Sequence, residues 1–312
     1  MHNDFDKAAK EILNLSDRAI IAFLNANLGT AFPPDARVTR TNPEYRLPAP
    51  SGKRRSRQNT IVADMIIVVG EKHRCHVEIE LTRKTGMAIR MFRYDVAEAL
   101  EHAVEEDGVW TISFPKSLVI YLESGANTPD YELLRVRFPD GSRHEYSAPV
   151  IKLTELSVRE LTERHLVIFA PLYLLKLRKQ VKRAGGHEER EELAGELKKI
   201  YREMEAAMAG EKEAGNMTEL DQVKIFEMRK VLHEGLFGEY TEFKEDTMDF
   251  SNLRVIEKLY AEREEIKRSR EEERRLREEA ARNILKAGQP VEQVARWIGL
   301  PIETVQTLAA QL

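Results

Sequence analysis

The sequence is poor in the features that mark secreted and membrane-spanning proteins. Its 312 residues include a single cysteine, Cys75, so no disulfide can form within the chain, and this agrees with a reducing compartment. The most apolar stretch, Leu166–Leu177, contains Pro171 and is too short to cross a bilayer. The N-terminus lacks the pattern of a secretory signal. We therefore expect a cytoplasmic protein with no membrane partner.

Neither sign of charge dominates the chain. Lys and Arg number 49 and Asp and Glu number 53, which leaves a net charge of −4. This balance does not indicate nucleic-acid binding by the molecule as a whole. Basic residues nevertheless gather in one loop, at Lys53, Arg54, Arg55 and Arg57. The sequence allows two interpretations of this loop, phosphate contacts with DNA or a solvated coil.

One carboxylate interrupts an apolar segment. Asp64 lies within Ile61–Val69, a short β-branched run that is typical of a strand inside a sheet. Burying an unpaired carboxylate there would cost roughly several kcal/mol. Asp64 must therefore be paired, for example with Arg90 as a structural carboxylate, or it must contribute to a metal site.

A second predicted strand follows, and its polar residues all have the same parity. Because strand side chains alternate between faces, one face carries His76, Glu78, Glu80 and Thr82. Asp64 and Glu80, with Glu78 beside them, would then form an oxygen-rich pocket for a divalent cation. The alternative is a half-exposed strand whose acidic residues and histidine face solvent. Both interpretations stay open at the level of the sequence.

The cysteine lies on the other parity of the same strand. Cys75 alternates with Val77 and Ile79, which are both apolar. A free cysteine in this setting behaves as a small apolar side chain. We expect a buried thiol rather than a reactive one.

The remaining patterns predict an α/β fold. Helices are expected over 5–28 and 87–106, strands over 36–41 and 116–122, one hairpin that joins the Asp64 strand to the Glu80 strand, and a second hairpin over 131–147. After Leu153 the patterns are helical, over about 154–183, 188–212, 217–236 and 252–287. The predicted core has the order α-β-β-β-α-β, with an additional hairpin and a long all-helical C-terminal extension.

Three segments are expected within this architecture. They are a core over 1–183, a helical extension with a charged spacer helix over 184–282, and a small helix-turn-helix-like unit over 283–312. The charged helix is either a solvated spacer or a weak coiled coil, and a homo-oligomer would form through the helical extension. The last unit has apolar faces at helical spacing, and it either docks a partner or reads DNA.

The ordered set of motifs resembles a known family. It consists of Asp64, the segment His76–Thr82, Arg90 with Tyr94, the strand Ser117–Leu122, the segment Pro149–Leu153 and the C-terminal segment Asn283–Pro301. This set resembles the PD-(D/E)XK nuclease family transposases, also called recombination-promoting nucleases. The resemblance covers roughly residues 1–180 and the C-terminal segment.

The resemblance implies a restriction-endonuclease-like core and DNA cleavage that depends on Mg²⁺, for which Mn²⁺ can substitute. Its implied catalytic residues are Asp64, Glu80, Thr82 and Glu78, with Asp64 and Glu80 as the metal ligands. Thr82 stands where the family usually has Lys or Gln, and Lys84 is a candidate substitute. The implied DNA contacts are Lys53, Arg54, Arg55, Arg57, Lys84 and Arg90. The alternative is a catalytically degenerate nuclease fold that binds DNA or a protein.

Overall fold

A computed structural model describes most of the chain, over residues 2–41, 44–46, 60–62, 65–244, 275–286, 289–298 and 302–309. The protein is mixed α/β and divides into two compact units, Met1–Met248 and Asp249–Leu312. Among the helices in the described ranges, none is long and apolar enough to cross a membrane.

The first unit contains a six-stranded mixed sheet. The described strands, in chain order, are β1 (Val38–Thr41), β2 (Glu44–Arg46), β3 (Thr60–Val62), β4 (Met65–Val69), β5 (His73–Glu80), β6 (Val104–Glu106), β7 (Val109–Thr111), β8 (Lys116–Tyr121), β9 (Tyr131–Arg137) and β10 (Arg143–Lys152). The main sheet has the order β1-β4-β5-β8-β10-β9. The pairs β2-β3 and β6-β7 form two separate ladders.

The sheet changes from antiparallel to parallel at β5. Strands β1, β4 and β5 are antiparallel neighbours, and the β4–β5 ladder places Met65 opposite Val77. Strands β5, β8 and β10 are parallel neighbours, and the β5–β8 ladder places Glu78 opposite Val119. Parallel neighbours need a crossover connection, which usually contains a helix. The helix between β5 and β8 therefore lies over one face of the sheet.

Eight helices are described in the first unit. They are α1 (His2–Leu13), α2 (Asp17–Leu28), α3 (Met87–Glu101), α4 (Val158–Glu163), α5 (Ala170–Tyr173), α6 (Leu175–Arg183), α7 (His187–Glu213) and α8 (Glu219–Phe237). Helix α3 is the crossover, and it packs on β9 and β10. Helix α7 packs on α4 and α6, and α8 packs on α1 and α5. The glycine pair 185–186 therefore separates two helices that pack against each other within one unit.

The prediction of one helix over 5–28 is wrong, because the chain breaks into α1 and α2. Ser16 caps the start of α2, and its hydroxyl accepts a hydrogen bond from the Ala19 N–H at 3.4 Å. Such a cap begins a new helix rather than continuing the previous one. Gly29 ends α2 with a left-handed φ of 57°, as the sequence predicts.

The predicted helix over 87–106 is too long. Helix α3 ends at Glu101, and the chain then forms the β6–β7 hairpin. Asp107 and Gly108 connect these strands, with left-handed φ values of 52° and 75°. An Asp-Gly pair with positive φ at both positions is the preferred two-residue hairpin turn. This local turn signal outweighs the helical periodicity that precedes it.

The predicted helix over 154–183 is interrupted rather than continuous. Ser157 forms a capping box with Glu160 at the start of α4. His165 then adopts a left-handed φ of 52°, and Pro171 lies in the first turn of α5. A left-handed residue ends a helix, and proline favours a helix start. The segment therefore contains α4, α5 and α6 in succession.

The second unit contains three described helices, α9 (275–286), α10 (Val291–Ile298) and α11 (Ile302–Ala309). These helices share one apolar cluster, and its buried residues are Ala281, Val294, Val305 and Leu308. Of the predicted apolar faces, Val291, Val294, Ala295 and Ile298 in α10 and Val305 and Leu308 in α11 take part in this cluster, which confirms the prediction there. Residues 252–274 of the predicted spacer helix lie outside the described residues.

Candidate functional site

The polar face of β5 is buried. His76 and Glu78 are 0% exposed and Glu80 is 9% exposed. The prediction that these three residues share a face is confirmed, whereas the interpretation of that face as solvated is wrong. Helix α3 covers it, and two polar side chains of that helix, Arg90 and Asp95, contact it.

Arg90 is shared by two carboxylates. One guanidinium nitrogen, Nη2, lies 3.0 Å from Glu78 Oε2 and 2.6 Å from Glu80 Oε1. Burial alone would lower the pKa of Arg90, but the charges of Glu78 and Glu80 outweigh burial, and the pKa of Arg90 is raised. The guanidinium also lies over the ring of Tyr94 at 5.9 Å. Arg90 therefore compensates the two acidic residues of β5.

The strand ends at Glu80, two residues earlier than the sequence predicts. Thr82 follows the end of β5 and is exposed, so it does not share the buried face with Glu78 and Glu80. The turn after the strand instead returns Lys84 to the site, where its Nζ lies 2.6 Å from Glu80 Oε2. Lys84 is 60% exposed at its side chain. Lys84, and not Thr82, is therefore the residue after β5 whose side chain contacts an acid of that strand.

A buried hydrogen-bond network adjoins these acids. Asp95 accepts hydrogen bonds from Nδ1 of His76 at 2.7 Å, from the Ser117 hydroxyl, and from the Tyr146 hydroxyl at 2.5 Å. Nε2 of His76 lies 3.7 Å from Glu78 Oε1. Burial lowers the pKa of His76, but Asp95 and Glu78 outweigh it and raise that pKa to about 9. His76 is therefore an imidazolium between two carboxylates at neutral pH.

Sequence analysis missed Asp95, although a signal was present. Met87, Met91 and Asp95 follow each other at intervals of four, and all three are buried in α3. Residues at this spacing lie on one face of a helix. A charged residue on an otherwise apolar helical face indicates a buried partner, and here the partner is His76.

The thiol of Cys75 lies on the opposite face of β5 and is buried, as predicted. Burial raises the pKa of this thiol to about 12, and the nearby charge of Lys116 offsets only part of that effect. A thiol with such a pKa is almost entirely protonated at neutral pH, so it is a poor nucleophile.

Five of the candidate site residues, Asp64, Lys53, Arg54, Arg55 and Arg57, lie outside the described residues. Their proposed roles stay predictions. In the sequence, Asp64 directly precedes Met65, the first residue of β4.

The charges of the described site balance. The acids Glu78, Glu80 and Asp95 contact the three cations His76, Lys84 and Arg90. Carboxylate oxygens are the donors that Mg²⁺ prefers, so the chemistry of Glu78 and Glu80 fits that ion. Within the described ranges, no group of three His, Cys, Asp or Glu side chains is arranged to hold a metal. A third ligand would have to come from outside those ranges, where Asp64 is the candidate.

Comparison with known proteins gives no relative for this chain. No protein-family model, no curated protein and no solved structure matches it. The interpretation of the site therefore depends on its geometry and its chemistry.

Proposed function

We propose that this protein is a metal-dependent DNA endonuclease of the PD-(D/E)XK type, related to recombination or transposition, with its site at Asp64, Glu78 and Glu80. The observation that carries the proposal is the pair of buried carboxylates on one face of β5, beneath a helix that supplies a cation. Burying two carboxylates in an apolar sheet costs folding free energy, so a bound cation or a functional role must account for them. A metal site is the role that the motif order favours.

The order of the elements supports a restriction-endonuclease-like core. When the separate β2–β3 and β6–β7 ladders are left out, helix α2, strands β1, β4 and β5, helix α3 and strand β8 have the order α-β-β-β-α-β that the resemblance implies. In the proposed enzyme, β4 and β5 form the hairpin that carries the acids, and α3 braces them from the adjacent face of the sheet. The additional β9–β10 hairpin extends the sheet away from the acids.

Two observations support Glu78 as the acid that acts with Asp64. Val77 pairs with Met65, the residue after Asp64, and Glu78 is the next residue along β5. Glu78 is also the more deeply buried of the two glutamates. In this second alignment with the family motif, Glu80 rather than Thr82 occupies the position where the family usually has Lys or Gln. Lys84 would supply the missing cation there, since its ammonium contacts Glu80.

The residues of the site fit a hard divalent cation in their donor chemistry. When bound, Mg²⁺ would lower the pKa of a bound water and stabilise negative charge on the leaving oxygen. Arg90 contacts the carboxylates of both Glu78 and Glu80 and so compensates their negative charge within the sheet. The His76–Asp95 pair adjoins Glu78 and restricts its position. Arg90 is therefore assigned a positioning role rather than a contact with DNA.

Plasmid nicking tests this function. Purified wild type is compared with Asp64→Asn, Glu78→Gln and Glu80→Gln in the presence of Mg²⁺ or Mn²⁺. We expect each substitution to lower the cutting rate by about a hundredfold or more, because even partners of metal ligands typically contribute ten- to a hundredfold. The matched control is Glu163→Gln, which changes an exposed glutamate of α4 and should leave the rate unchanged.

Equal cutting by wild type and the three site variants would show that the activity belongs to another site or to a contaminant. Circular dichroism and thermal unfolding of each variant separate loss of activity from loss of fold. This control matters most for Glu78→Gln, because that change removes one of the two carboxylates that compensate Arg90.

A second candidate function is DNA or protein binding by a catalytically degenerate nuclease fold. The observation that favours it is the position of Arg90, which already bridges Glu78 and Glu80. Thermal unfolding with Mn²⁺ separates the two candidates. A ligand at a hundred times its Kd stabilises the folded state by about 2.7 kcal/mol, so the enzyme should unfold at higher temperature with Mn²⁺ and Glu78→Gln should not. DNA binding without a metal-dependent shift favours the degenerate fold.

A further inference from the structure

A cavity of about 780 Å³ opens at the start of β5, the end of the strand remote from Glu80. Its lining includes the β4–β5 turn around Gly70, the first residues of β5, and Lys116 at the start of β8. The rise along a strand puts the two ends of β5 roughly 23 Å apart. Because of this distance, the cavity is separate from the acidic site. Its volume lies within the range of pockets that bind small molecules.

The charged side chains that line the cavity are all basic or potentially basic. They are Lys72, His73, Arg74 and Lys116, and no aspartate or glutamate is among the lining residues. This composition contrasts with that of the whole chain, in which acidic residues outnumber basic ones. A concave surface with one sign of charge concentrates ligands of the opposite sign. The cavity favours an anion.

Two of these cations are already engaged. Arg74 pairs with Glu98 at 2.8 Å. Lys116 donates hydrogen bonds to the carbonyl oxygens of Leu28 and Gly29, at 3.1 and 3.3 Å, and so offsets the negative end of α2. An ammonium group has three donors, so one N–H of Lys116 remains for a ligand.

The other two side chains, Lys72 and His73, are exposed. Neither Lys72 nor His73 has a carboxylate within ion-pair distance in the part of the chain that the structure describes. Both lie at the β4–β5 turn. These two side chains are therefore the ones that can contact a phosphate without first breaking an ion pair with a described residue.

Aromatic rings accompany the cations. Phe32 lines the cavity, and its ring lies 5.4 Å from that of His73. Phe114 also lines it and is 42% exposed, and the centre of its ring lies 5.8 Å from that of Phe92. Phe92 in turn packs edge-on against Tyr146 at 5.3 Å. An exposed ring held by other rings offers a preformed stacking surface.

We infer that this cavity binds a nucleotide, either free or within a single strand of nucleic acid, with its phosphate at Lys72 and His73 and its base stacked on Phe114. Basic side chains interleaved with aromatic rings are the combination that nucleotides require, since phosphates need cations and bases need flat apolar partners. An acidic peptide would use the cations but not the rings. The inference is independent of the proposed nuclease activity and of any metal.

Fluorescence anisotropy tests the inference on the full-length chain in EDTA, with two probes. One is a fluorescent ATP analogue and the other is a labelled oligothymidylate. We expect at least one probe to bind, and binding to weaken severalfold in Lys72→Gln. For the oligonucleotide, that change should also reduce the slope of log affinity against log salt by about one. Binding of the ATP analogue alone assigns the site to free nucleotides, and binding of the oligothymidylate assigns it to a strand.

Phe114→Ala separates a nucleotide site from a simple anion site. Loss of one stacking partner should weaken binding by about five- to a hundredfold. The matched control is Lys199→Gln, which removes a lysine of α7 that is 77% exposed and remote from the cavity lining, and binding should not change. Glu80→Gln should leave binding of the ATP analogue unchanged, because Glu80 lies at the other end of β5.

Three outcomes would overturn the inference. The first is that wild type binds neither probe. The second is that Phe114→Ala binds as tightly as wild type while polyglutamate displaces the probe, which would describe a general anion patch. The third is that Lys199→Gln weakens binding as much as Lys72→Gln, which would describe a diffuse charge effect.

Discussion

Neighbouring carboxylates raise the pKa values of two histidines, His76 and His165. His76 keeps its proton through Asp95 and Glu78 although it is fully buried. His165 contacts Glu211 at 2.9 Å, and this hydrogen bond raises the pKa of His165 against a smaller effect of burial. The pKa of Glu211 is lowered, because hydrogen bonds from His165 and Asn216 outweigh its burial.

The His165–Glu211 pair should give the protein a defined pH dependence. The contribution of His165 is fully present below its ordinary pKa of 6.5 and is lost as the pH rises through its raised value. The contribution of Glu211 is present above its ordinary pKa of 4.5 and is lost as the pH falls through its lowered value. We expect wild type to exceed Glu211→Gln in stability most strongly between pH 4.5 and 6.5, by about 1 kcal/mol for this partly exposed pair.

Urea unfolding of both proteins across the pH range measures this difference. A second variant, His165→Gln, should show the same loss in that window, because it removes the other partner. A difference between wild type and Glu211→Gln that stays constant with pH would contradict the charge pairing and leave only a packing effect.

The sequence predicts part of the candidate site at the residue scale. Strand parity correctly groups His76, Glu78 and Glu80 on one face. Parity cannot show whether a face is covered, since that depends on which helix packs there. Arg90 and Asp95 of α3 cover this face. Charged residues on a helix are usually exposed, so the sequence does not indicate that these two contact β5. The role of Asp64 stays a prediction.

At the scale of elements, one carboxylate joins the starts of two helices. Asp221 accepts hydrogen bonds from the N–H and hydroxyl of Thr218, at 2.8 and 2.7 Å, and so completes the capping box at the start of α8. It also accepts bonds from the N–H and hydroxyl of Ser16, at 2.8 and 2.5 Å, before the start of α2. Asp221 is almost fully buried, at 1% exposure. The two helices are thereby fixed to each other at their N-terminal ends.

Asp221→Ala should therefore destabilise the protein by about 2–4 kcal/mol, because it removes a helix cap and leaves buried donors without acceptors. The matched control is Glu219→Ala, an exposed acid in the same turn of α8, which should change stability by less than about 0.5 kcal/mol. Thermal or urea unfolding measures both. Equal effects of the two changes would show that the bonds to Ser16 contribute nothing.

The same contact explains why some elements could not be predicted. Ser16 caps the start of α2 through Ala19, which is a local signal, but its second partner, Asp221, is 205 positions away in the sequence. No local pattern reports such a contact. The β6–β7 hairpin is a different case, because Asp107 and Gly108 are a local turn signal that the sequence does contain. The β9–β10 hairpin was predicted correctly, since its turn separates two clear strand patterns.

At the scale of the whole molecule, the described parts of the two units have separate apolar clusters. The cluster of the second unit consists of residues from α9, α10 and α11. Helices α7 and α8 pack with the sheet-containing unit. The mixed α/β class was predictable, because the strand and helix patterns are long enough to be recognised in the sequence. The position at which the first unit ends was not predictable from the sequence, because it depends on how the helices pack and not on the glycine pair at 185–186.

A chain that ends at Met248 should keep the thermal stability of the first unit. We expect its unfolding temperature to agree with that of the corresponding transition in the full chain within about 2 °C. A chain that ends at Gly186 should unfold at much lower temperature or fail to fold, since it lacks α7, α8 and the Asp221 contact with Ser16. Calorimetry of the three proteins measures this. A large drop for the chain ending at Met248 would contradict the division into units.

The six charged side chains of the candidate site also constrain how this protein can evolve. Each of the three acids and three cations has a counterpart of opposite sign among the others. A substitution that removes one buried member of a pair leaves the charge of the other uncompensated. This destabilises the fold more than replacing both members does. Descendants should therefore exchange these positions two at a time, so that correlated replacement is the signature this cluster would leave in any set of homologous sequences.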